Sequence, residues 1–232
     1  MKNTLAIALT LALLSACASA PAAPQPADPL PASTSQASPT PTPPTPTATF
    51  AVSPLDDDAN TVYYFTPDAC KAKWTNNGQE LPCPGVRGQL ESGFVGLLTQ
   101  TELSLPYHAD AILAVPSQDG RFLGIFGAFP ARKIEFGDFF RTQLYCMPEA
   151  QCDVTFSLGY YDESGKFFDP FPAWPYNYAE LPHLVNFPLD LIANQTVRLT
   201  LIVRDNGDPA GDYAVWVEPR IFRHPGIVTP TP

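Results

Sequence analysis

Residues 167–178 of this 232-residue chain read FFDPFPAWPYNY, a stretch with six aromatic side chains and three prolines. The apolar face of a pyranose ring stacks on aromatic side chains, while nearby amides and carboxylates bind its hydroxyl groups. The stretch is therefore a candidate carbohydrate-binding platform. Three rings and two hydrogen-bonding groups would form it: Trp174, Tyr176, Tyr178, Asn177 and Asp169.

A second interpretation is that these rings close one open end of a hydrophobic core. The prolines at positions 170, 172 and 175 leave few residues able to pair in a sheet, and rings packed inward would fix such a loop. The platform predicts that Trp174→Ala weakens sugar binding and spares the fold. The core interpretation predicts that the same change destabilises the fold.

An acidic segment at residues 205–212, DNGDPAGD, offers hard oxygen atoms of the kind that calcium prefers. Its spacing is not that of an EF-hand loop, and Asn-Gly-Asp is equally suited to a tight hairpin turn. Calcium is therefore an optional ligand, and the sequence requires no cofactor. The candidate ligands are Asp205, Asn206, Asp208 and Asp212.

Cys17 belongs to a separate N-terminal motif. The other four cysteines are an even number, which in an exported domain predicts disulfide bonds. Cys146 and Cys152 flank a short loop that is typical of a hairpin, so we predict that they pair. Cys70 and Cys83 then pair by elimination. The three histidines are scattered and no Cys-x2-Cys pair exists, which disfavours a zinc site.

Sequence motifs of the common catalytic sites are absent. The chain has no Gly-x-Ser-x-Gly elbow, no His-Glu-x-x-His and no phosphate-binding glycine loop. We therefore predict that the protein is not an enzyme. A carboxylate pair for glycoside hydrolysis would form in space rather than along the sequence, so that alternative stays open.

The elements that must position these residues are β-strands. In residues 153–160 and 196–204, apolar side chains alternate with polar or smaller ones, as in strands with one buried face. Turn residues separate the candidates, and no long helical stripe exists. The pattern predicts an all-β domain, an antiparallel β-sandwich of jelly-roll type. The other candidate strands are 61–66, 94–99, 111–115, 122–126, 139–146 and 213–221.

The N-terminus predicts export and anchoring. A lysine and a short apolar run precede Leu-Ser-Ala-Cys17, which resembles the bacterial lipobox, so residues 1–17 are a predicted lipoprotein signal peptide. Acylated Cys17 would hold the protein on membrane lipid, at the extracytoplasmic face of the cell envelope. The alternative is an ordinary secretory peptide cleaved at Ala18-Ser19-Ala20. Residues 18–59 are a disordered linker rich in Pro, Ala, Ser and Thr, 60–224 the sandwich, and 225–232 a disordered tail.

The formal net charge is −10. A chain this acidic disfavours nucleic acid as a partner, and it also disfavours electrostatic adsorption to anionic lipid. Contact with a membrane is therefore expected through the acyl chains on Cys17 alone.

Six landmarks occur in a fixed order along the domain: ACKAKWTNNGQELPCPG, GAFP, FGDFFRT, CDVTF, QTVRLTL and GDYAVWVEPRIFR. Their order resembles a domain family of secreted and surface proteins in filamentous Chloroflexota-type bacteria. The domain is also similar in outline to galactose-binding-like jelly rolls. The resemblance implies a jelly-roll fold and a binding role, with carbohydrate, protein or lipid as the ligand.

These observations predict a non-catalytic envelope lipoprotein whose sandwich binds a ligand, with polysaccharide as the preferred class. The alternative is a structural or protein-interaction domain of the envelope that binds no small ligand.

Overall fold

The computed structural model describes residues 58–223, apart from residues 77, 108, 119–123, 149 and 179. Cys17, the signal peptide, residues 18–57 of the linker and the tail lie outside the described residues, so lipidation, export and the domain boundaries stay predictions. None of the helices in the described part is long and apolar enough to cross a bilayer.

The described residues form fourteen β-strands and little helix. One α-helix, α1 (Gln100–Leu103), and three 3-10 helices (Asp58–Asn60, Thr66–Lys71 and Asp190–Ile192) lie between strands. The strands are β1 (Thr61–Tyr64), β2 (Lys73–Asn76), β3 (Gln79–Glu80), β4 (Phe94–Leu98), β5 (Ala111–Val115), β6 (Gly124–Ala128), β7 (Arg132–Lys133), β8 (Asp138–Cys146), β9 (Asp153–Tyr161), β10 (Phe167–Phe168), β11 (Ala173–Asn177), β12 (His183–Pro188), β13 (Thr196–Asp205) and β14 (Ala214–Arg223).

The strands form two antiparallel sheets. The six-stranded sheet has the order β12-β8-β14-β5-β4, and β1 pairs with the second half of β14. The eight-stranded sheet has the order β10-β9-β13-β6-β2-β3, with β11 beside β9 and β7 beside β13. The predicted all-β, antiparallel β-sandwich of jelly-roll type is confirmed.

Strand periodicity explains how the sheets face each other. In β13, Val197, Leu199, Leu201 and Val203 are all buried on the inner face, as the alternation predicts. The outer face differs from the expectation, because Thr200 on this face is also fully buried. Side chains of neighbouring strands therefore cover part of the outer surface of β13.

Aromatic side chains hold the two sheets together. Trp216 of β14 is fully buried and meets Phe156 of β9 edge-on, with ring centroids 4.8 Å apart. Phe140 of β8 contacts the same indole at 6.0 Å. Burial of side chains of this size contributes the largest single hydrophobic terms in a core.

A second apolar cluster covers the outer face of the six-stranded sheet. Leu103 of α1 and Tyr107 pack there against β4, β5 and β14, through residues such as Leu113 and Val215. One outer face of the sandwich is therefore occupied by the chain's own side chains. The outer face of the eight-stranded sheet has no such layer among the described residues.

Both predicted disulfides are present, although one bridges a different structure from the one predicted. Cys70 pairs with Cys83 and Cys146 with Cys152, with Cα atoms 5.0 and 6.1 Å apart. The predicted hairpin is wrong, because β8 and β9 lie in different sheets and do not pair with each other. The Cys146–Cys152 bond therefore braces a corner where the chain crosses from one sheet to the other.

Candidate functional site

The aromatic stretch at 167–178 is not a loop, as the sequence suggests, but two short strands. β10 pairs with Tyr160 and Tyr161 of β9, and β11 pairs with residues 153–157 of the same strand. Both lie at the edge of the eight-stranded sheet, where Pro175 is tolerated because an edge strand has amide groups that need no partner. The expectation that the prolines prevent pairing is therefore wrong.

Two of the three predicted platform rings point into the sandwich. Trp174 is half-buried and lies between Phe140, nearly parallel at 6.4 Å, and Phe187 at 6.3 Å. Tyr176 is only 2 % exposed and meets Phe156 edge-on at 6.0 Å. Burial raises the pKa of the Tyr176 phenol to about 12. These rings pack as the second interpretation of the stretch expects.

The third ring, Tyr178, is 53 % exposed and lies at one end of the sandwich. It borders a groove of about 560 Å³ that also contains Tyr145, Pro148 and Leu181. Asn177 is half-buried and precedes it at the end of β11. Tyr178 is thus available to a ligand, but its neighbours in the sequence do not form a single platform with it.

Asp169 lies apart from this groove and is already engaged. Its carboxylate forms an ion pair with Arg204, at 2.7 Å, and the same guanidinium donates a hydrogen bond to the Ser157 hydroxyl at 2.6 Å. The five predicted ligand-binding residues therefore divide among the interior, one end of the sandwich and the outer face of the eight-stranded sheet.

Three half-exposed rings meet on that outer face. Phe167 of β10 lies 5.1 Å from Tyr161 of β9 and 6.4 Å from Phe126 of β6, measured between centroids. Gly159 makes room for Phe167, because a Cβ atom at this position would lie 2.8 Å from the ring. The rings come from three different strands, so the sheet itself sets their spacing.

Cationic side chains border the rings. The Arg198 guanidinium lies 5.0 Å from the centroid of Tyr161, and Arg204 lies 5.6 Å from that of Phe126. Lys73 is paired with Glu80 at 3.2 Å near the other edge. Lys73 and Arg198 line an open hollow of about 490 Å³, which we call the outer-face hollow. Its lining includes Lys73, Thr75, Phe126, Ala128, Tyr161 and Arg198.

Sequence reasoning did not identify this group of residues, although a partial signal was present. Arg198 belongs to the outward side of the predicted alternation, and Tyr161 follows directly on the predicted strand 153–160. Phe126 ends another predicted strand. What the sequence does not contain is the strand order, which places β9 and β6 on either side of β13. Without that order the three side chains cannot be assigned to one surface.

The acidic loop is held by its own hydrogen bonds. Asp205 and Asp208 each accept a bond from the backbone amide two residues ahead, at 2.7 and 3.0 Å. Asn206 donates to the Asp153 side chain at 3.0 Å, and Asp212 accepts from the Asp153 amide at 2.9 Å. In the described part of the chain, no group of three or more His, Cys, Asp or Glu residues could hold a metal ion.

The four predicted calcium ligands are therefore not brought together as a metal site. The alternative, a tight hairpin turn, is also wrong, because the loop joins β13 and β14 in opposite sheets. It instead packs at the same end of the sandwich as the Cys146–Cys152 corner, where the Met147 amide donates to the Tyr213 carbonyl at 3.0 Å.

Asp212 is a buried acid, and its position makes the stability of the fold depend on pH. Burial raises the pKa of Asp212 to about 7, and the negative charges of Asp205, Asp153 and Asp208 add to the rise, against the hydrogen bond from the Asp153 amide. The folded state then binds more protons than the unfolded state between pH 3.8 and about pH 7. Stability contributed by this group must fall as the pH rises through that window.

The melting temperature of Asp212→Asn should therefore rise relative to that of the parent protein as the pH is raised from acid to mildly alkaline values. The amide keeps an acceptor for the Asp153 amide and removes the proton uptake. Thermal unfolding followed by circular dichroism across this range measures the difference. A difference between the two proteins that stays constant with pH would contradict the assignment.

No protein-family model matches the sequence, and no curated protein matches it. The family resemblance drawn from the sequence landmarks therefore stays a prediction.

Comparison with solved structures finds carbohydrate-binding modules at low TM-scores. The C-terminal family 22 carbohydrate binding module of Clostridium thermocellum Xyn10B has a TM-score of 0.40 and 16% identity, over 75% of this chain and 99% of that chain. TmCBM61 in complex with beta-1,4-galactotriose has a TM-score of 0.39 and 8% identity, over 69% and 94%. The non-crystalline cellulose specific module CBM28 has a TM-score of 0.42 and 14% identity, over 66% and 87%. Similarity at this level says nothing about what this chain binds.

Proposed function

We propose that the protein is a non-catalytic carbohydrate-binding lipoprotein of the bacterial cell envelope, and that its ligand lies in the outer-face hollow. The observation that carries the proposal is the group of three half-exposed rings formed by Phe126 and Tyr161, which line the hollow, and Phe167, which packs against both. Among the described residues, no other layer covers this sheet face. Large apolar side chains grouped at a surface are typical of a contact surface.

The chemistry of the hollow suits a sugar. Its rings offer flat apolar surfaces for the C–H face of a pyranose, and Thr75, Lys73 and Arg198 offer donors for hydroxyl groups. The residues stand on paired strands rather than on loops, so their geometry exists before a ligand arrives. A preformed surface loses less conformational entropy on binding than a mobile one.

The N-terminal segment supports the place of action. Acyl chains on Cys17 would each contribute about 0.8 kcal/mol per buried methylene, which is enough for stable anchoring when more than one chain is attached. The proline-rich residues 18–59 would then hold the sandwich away from the lipid surface. A polysaccharide of the envelope or its surroundings would be within reach of such a domain.

Tyr161→Ala should weaken polysaccharide binding by about tenfold or more, because one stacking surface contributes on the order of 1 kcal/mol beyond its buried area. Tyr161 is half-buried against Phe167, so its loss should also lower the melting temperature, and binding is therefore compared at temperatures where both proteins are folded. Binding is measured with a glycan array followed by titration calorimetry on the full chain.

Tyr178→Ala is the matched control, since it removes an exposed tyrosine from the groove at the end of the sandwich. It should bind glycans as the parent does. Loss of binding in Tyr178→Ala with retention in Tyr161→Ala would move the site to the end groove and refute the proposed location.

The end groove favours the second candidate function, a protein-interaction domain. Tyr178 and Leu181 expose large apolar side chains there, with Leu181 86 % exposed. Apolar side chains grouped at a surface are typical of protein contacts. Failure of the protein to bind any glycan, together with capture of an envelope protein that Tyr178→Ala abolishes, would support this candidate instead.

A further inference from the structure

We infer that the ligand of the outer-face hollow is an anionic polysaccharide, whose acidic group binds Arg198 while its sugar ring lies against the neighbouring aromatic side chains, Phe126 and Tyr161. This inference rests on the proposed function and specifies the chemical class of its ligand. The shared chemistry is a carboxylate or sulfate carried on a sugar.

The charge of the hollow is opposite to the charge of the chain. The sequence has thirteen basic and twenty-three acidic residues, yet among the described residues the charged side chains in the lining are Lys73 and Arg198. Glu80 lies beside Lys73 at the rim, and no carboxylate is among the described lining residues. In so acidic a protein, a hollow whose described charged residues are both cations would attract an anion more strongly than the surrounding surface does.

Arg198 is the cation available to such an anion. Its guanidinium lies over Tyr161, and the structure gives it no ion pair with any described carboxylate. Arg204, on the same strand but outside the described lining of the hollow, shows the contrast, because Asp169 neutralises it at 2.7 Å. A planar guanidinium binds a carboxylate or sulfate through two parallel hydrogen bonds, which a neutral hydroxyl cannot match.

Among the described residues, the two acidic side chains nearest to Arg198 do not form an ion pair with it. Arg198 borders the turn that contains Asp162 and Glu163. The Asp162 carboxylate accepts hydrogen bonds from the Ser164 hydroxyl at 2.6 Å and from the Lys166 amide at 2.9 Å, and these bonds lower its pKa. Glu163 is exposed to solvent.

Lys73 can support the same ligand. The side chains of Lys73 and Glu80 are 61 and 68 % exposed, and an ion pair in this setting contributes little to stability. Lys73 can therefore exchange Glu80 for a ligand anion at small cost. Arg198 of β13 lies between Tyr161 of β9 and Phe126 of β6, and Lys73 of β2 lies on the other side of β6, so both cations adjoin the aromatic side chains of the hollow.

The test compares polygalacturonate with its fully methyl-esterified form, which keeps the sugar backbone and loses the charge. The full chain should bind the acidic form at least about tenfold more tightly, since a charge-assisted hydrogen bond exceeds a neutral one by this order. Raising the ionic strength should weaken binding of the acidic form and spare the ester. Dextran and dextran sulfate provide the corresponding comparison for sulfate.

Arg198→Gln should bring binding of the acidic form down to the level of the ester. Arg198→Lys, which keeps the charge and loses the paired donors, should fall between the two. The matched control is Lys166→Gln, because Lys166 lies 4.8 Å from the ring of Phe168, outside the lining of the hollow, and its loss changes the net charge equally. Melting temperatures of all variants confirm that they fold.

The inference is supported if the protein prefers polygalacturonate over its methyl ester, with or without a preference for dextran sulfate over dextran. This preference must be lost in Arg198→Gln and kept in Lys166→Gln. Equal binding of acidic and neutral forms, with no effect of Arg198→Gln, would overturn it and leave the proposed function standing. Failure to bind any glycan would overturn the proposed function itself.

Discussion

Gly127→Ala should destabilise the domain by about 3 kcal/mol, because over-packing of a buried aromatic contact costs on this order or more. Gly127 of β6 is the cross-strand partner of Trp74 in β2, and a Cβ atom there would lie 2.4 Å from the indole ring. The indole cannot move aside easily. It is 1 % exposed, donates a hydrogen bond to the Ala69 carbonyl at 2.7 Å and packs on Phe129.

Gly207→Ala is the control for this prediction. Gly207 lies in the acidic loop, and a Cβ atom there would meet no atom within 4 Å. The free energy of unfolding of Gly207→Ala, measured in urea, should lie within about 0.5 kcal/mol of that of the parent. If Gly127→Ala also lay within that margin, Trp74 would not be packed on β6 as described.

Trp174→Ala should destabilise the domain by about 2–3 kcal/mol, toward the lower end for a tryptophan because the ring is half-buried. The change removes a ring that packs on Phe140 and Phe187, at the end of the core where β11 closes the sandwich. At temperatures where the variant is folded, its affinity for polysaccharide should equal that of the parent. Urea unfolding and titration calorimetry on the same preparation separate the two effects.

Tyr178→Ala, four positions along the chain, provides the comparison, since its ring is largely in solvent and should contribute within about 0.5 kcal/mol. A Trp174→Ala protein that keeps its stability and loses sugar binding would restore the platform interpretation of residues 167–178. We expect the reverse result, a less stable Trp174→Ala protein that still binds sugar.

Much of the fold is readable from the sequence, because strand formation has a local signal. The alternation in β9 and β13 locates both strands to within one residue, and the inward positions of Val197 and Val203 follow from it. The disulfides are also predictable, because four cysteines allow few pairings and Cys146 and Cys152 are close in sequence.

The sequence does not determine which strands are neighbours, and this limits prediction of the site. A short connection such as the one between β8 and β9 is compatible with a hairpin or with a crossing between sheets, and the crossing is what occurs. Phe126 and Tyr161 lie 35 positions apart in the chain. They line the same hollow only because their strands, β6 and β9, lie on the two sides of β13. The dense stretch at 167–178 attracts attention, but the rings at 174 and 176 serve the core.

The fold explains why one surface rather than another would bind a ligand. Leu103 and Tyr107 cover the outer face of the six-stranded sheet. In β6 and β9, side chains alternate between the two faces of the strand, which places rings on the outer face of the eight-stranded sheet. Arg204 and Asp169 tie β13 to the segment after β10, which fixes Phe167 beside Tyr161. The aromatic surface is thus held by the same contacts that complete the sheet.

The most direct test of the central claim is to locate the ligand by nuclear magnetic resonance. The labelled full chain would be titrated with an oligosaccharide of the glycan that the array selects, and the amide shifts would be mapped on the sheets. The account predicts the largest shifts in β2, β6, β9 and β13, centred on Phe126, Tyr161 and Arg198. Shifts confined to the end groove around Tyr178 and Leu181, with β6 and β13 unchanged, would contradict it.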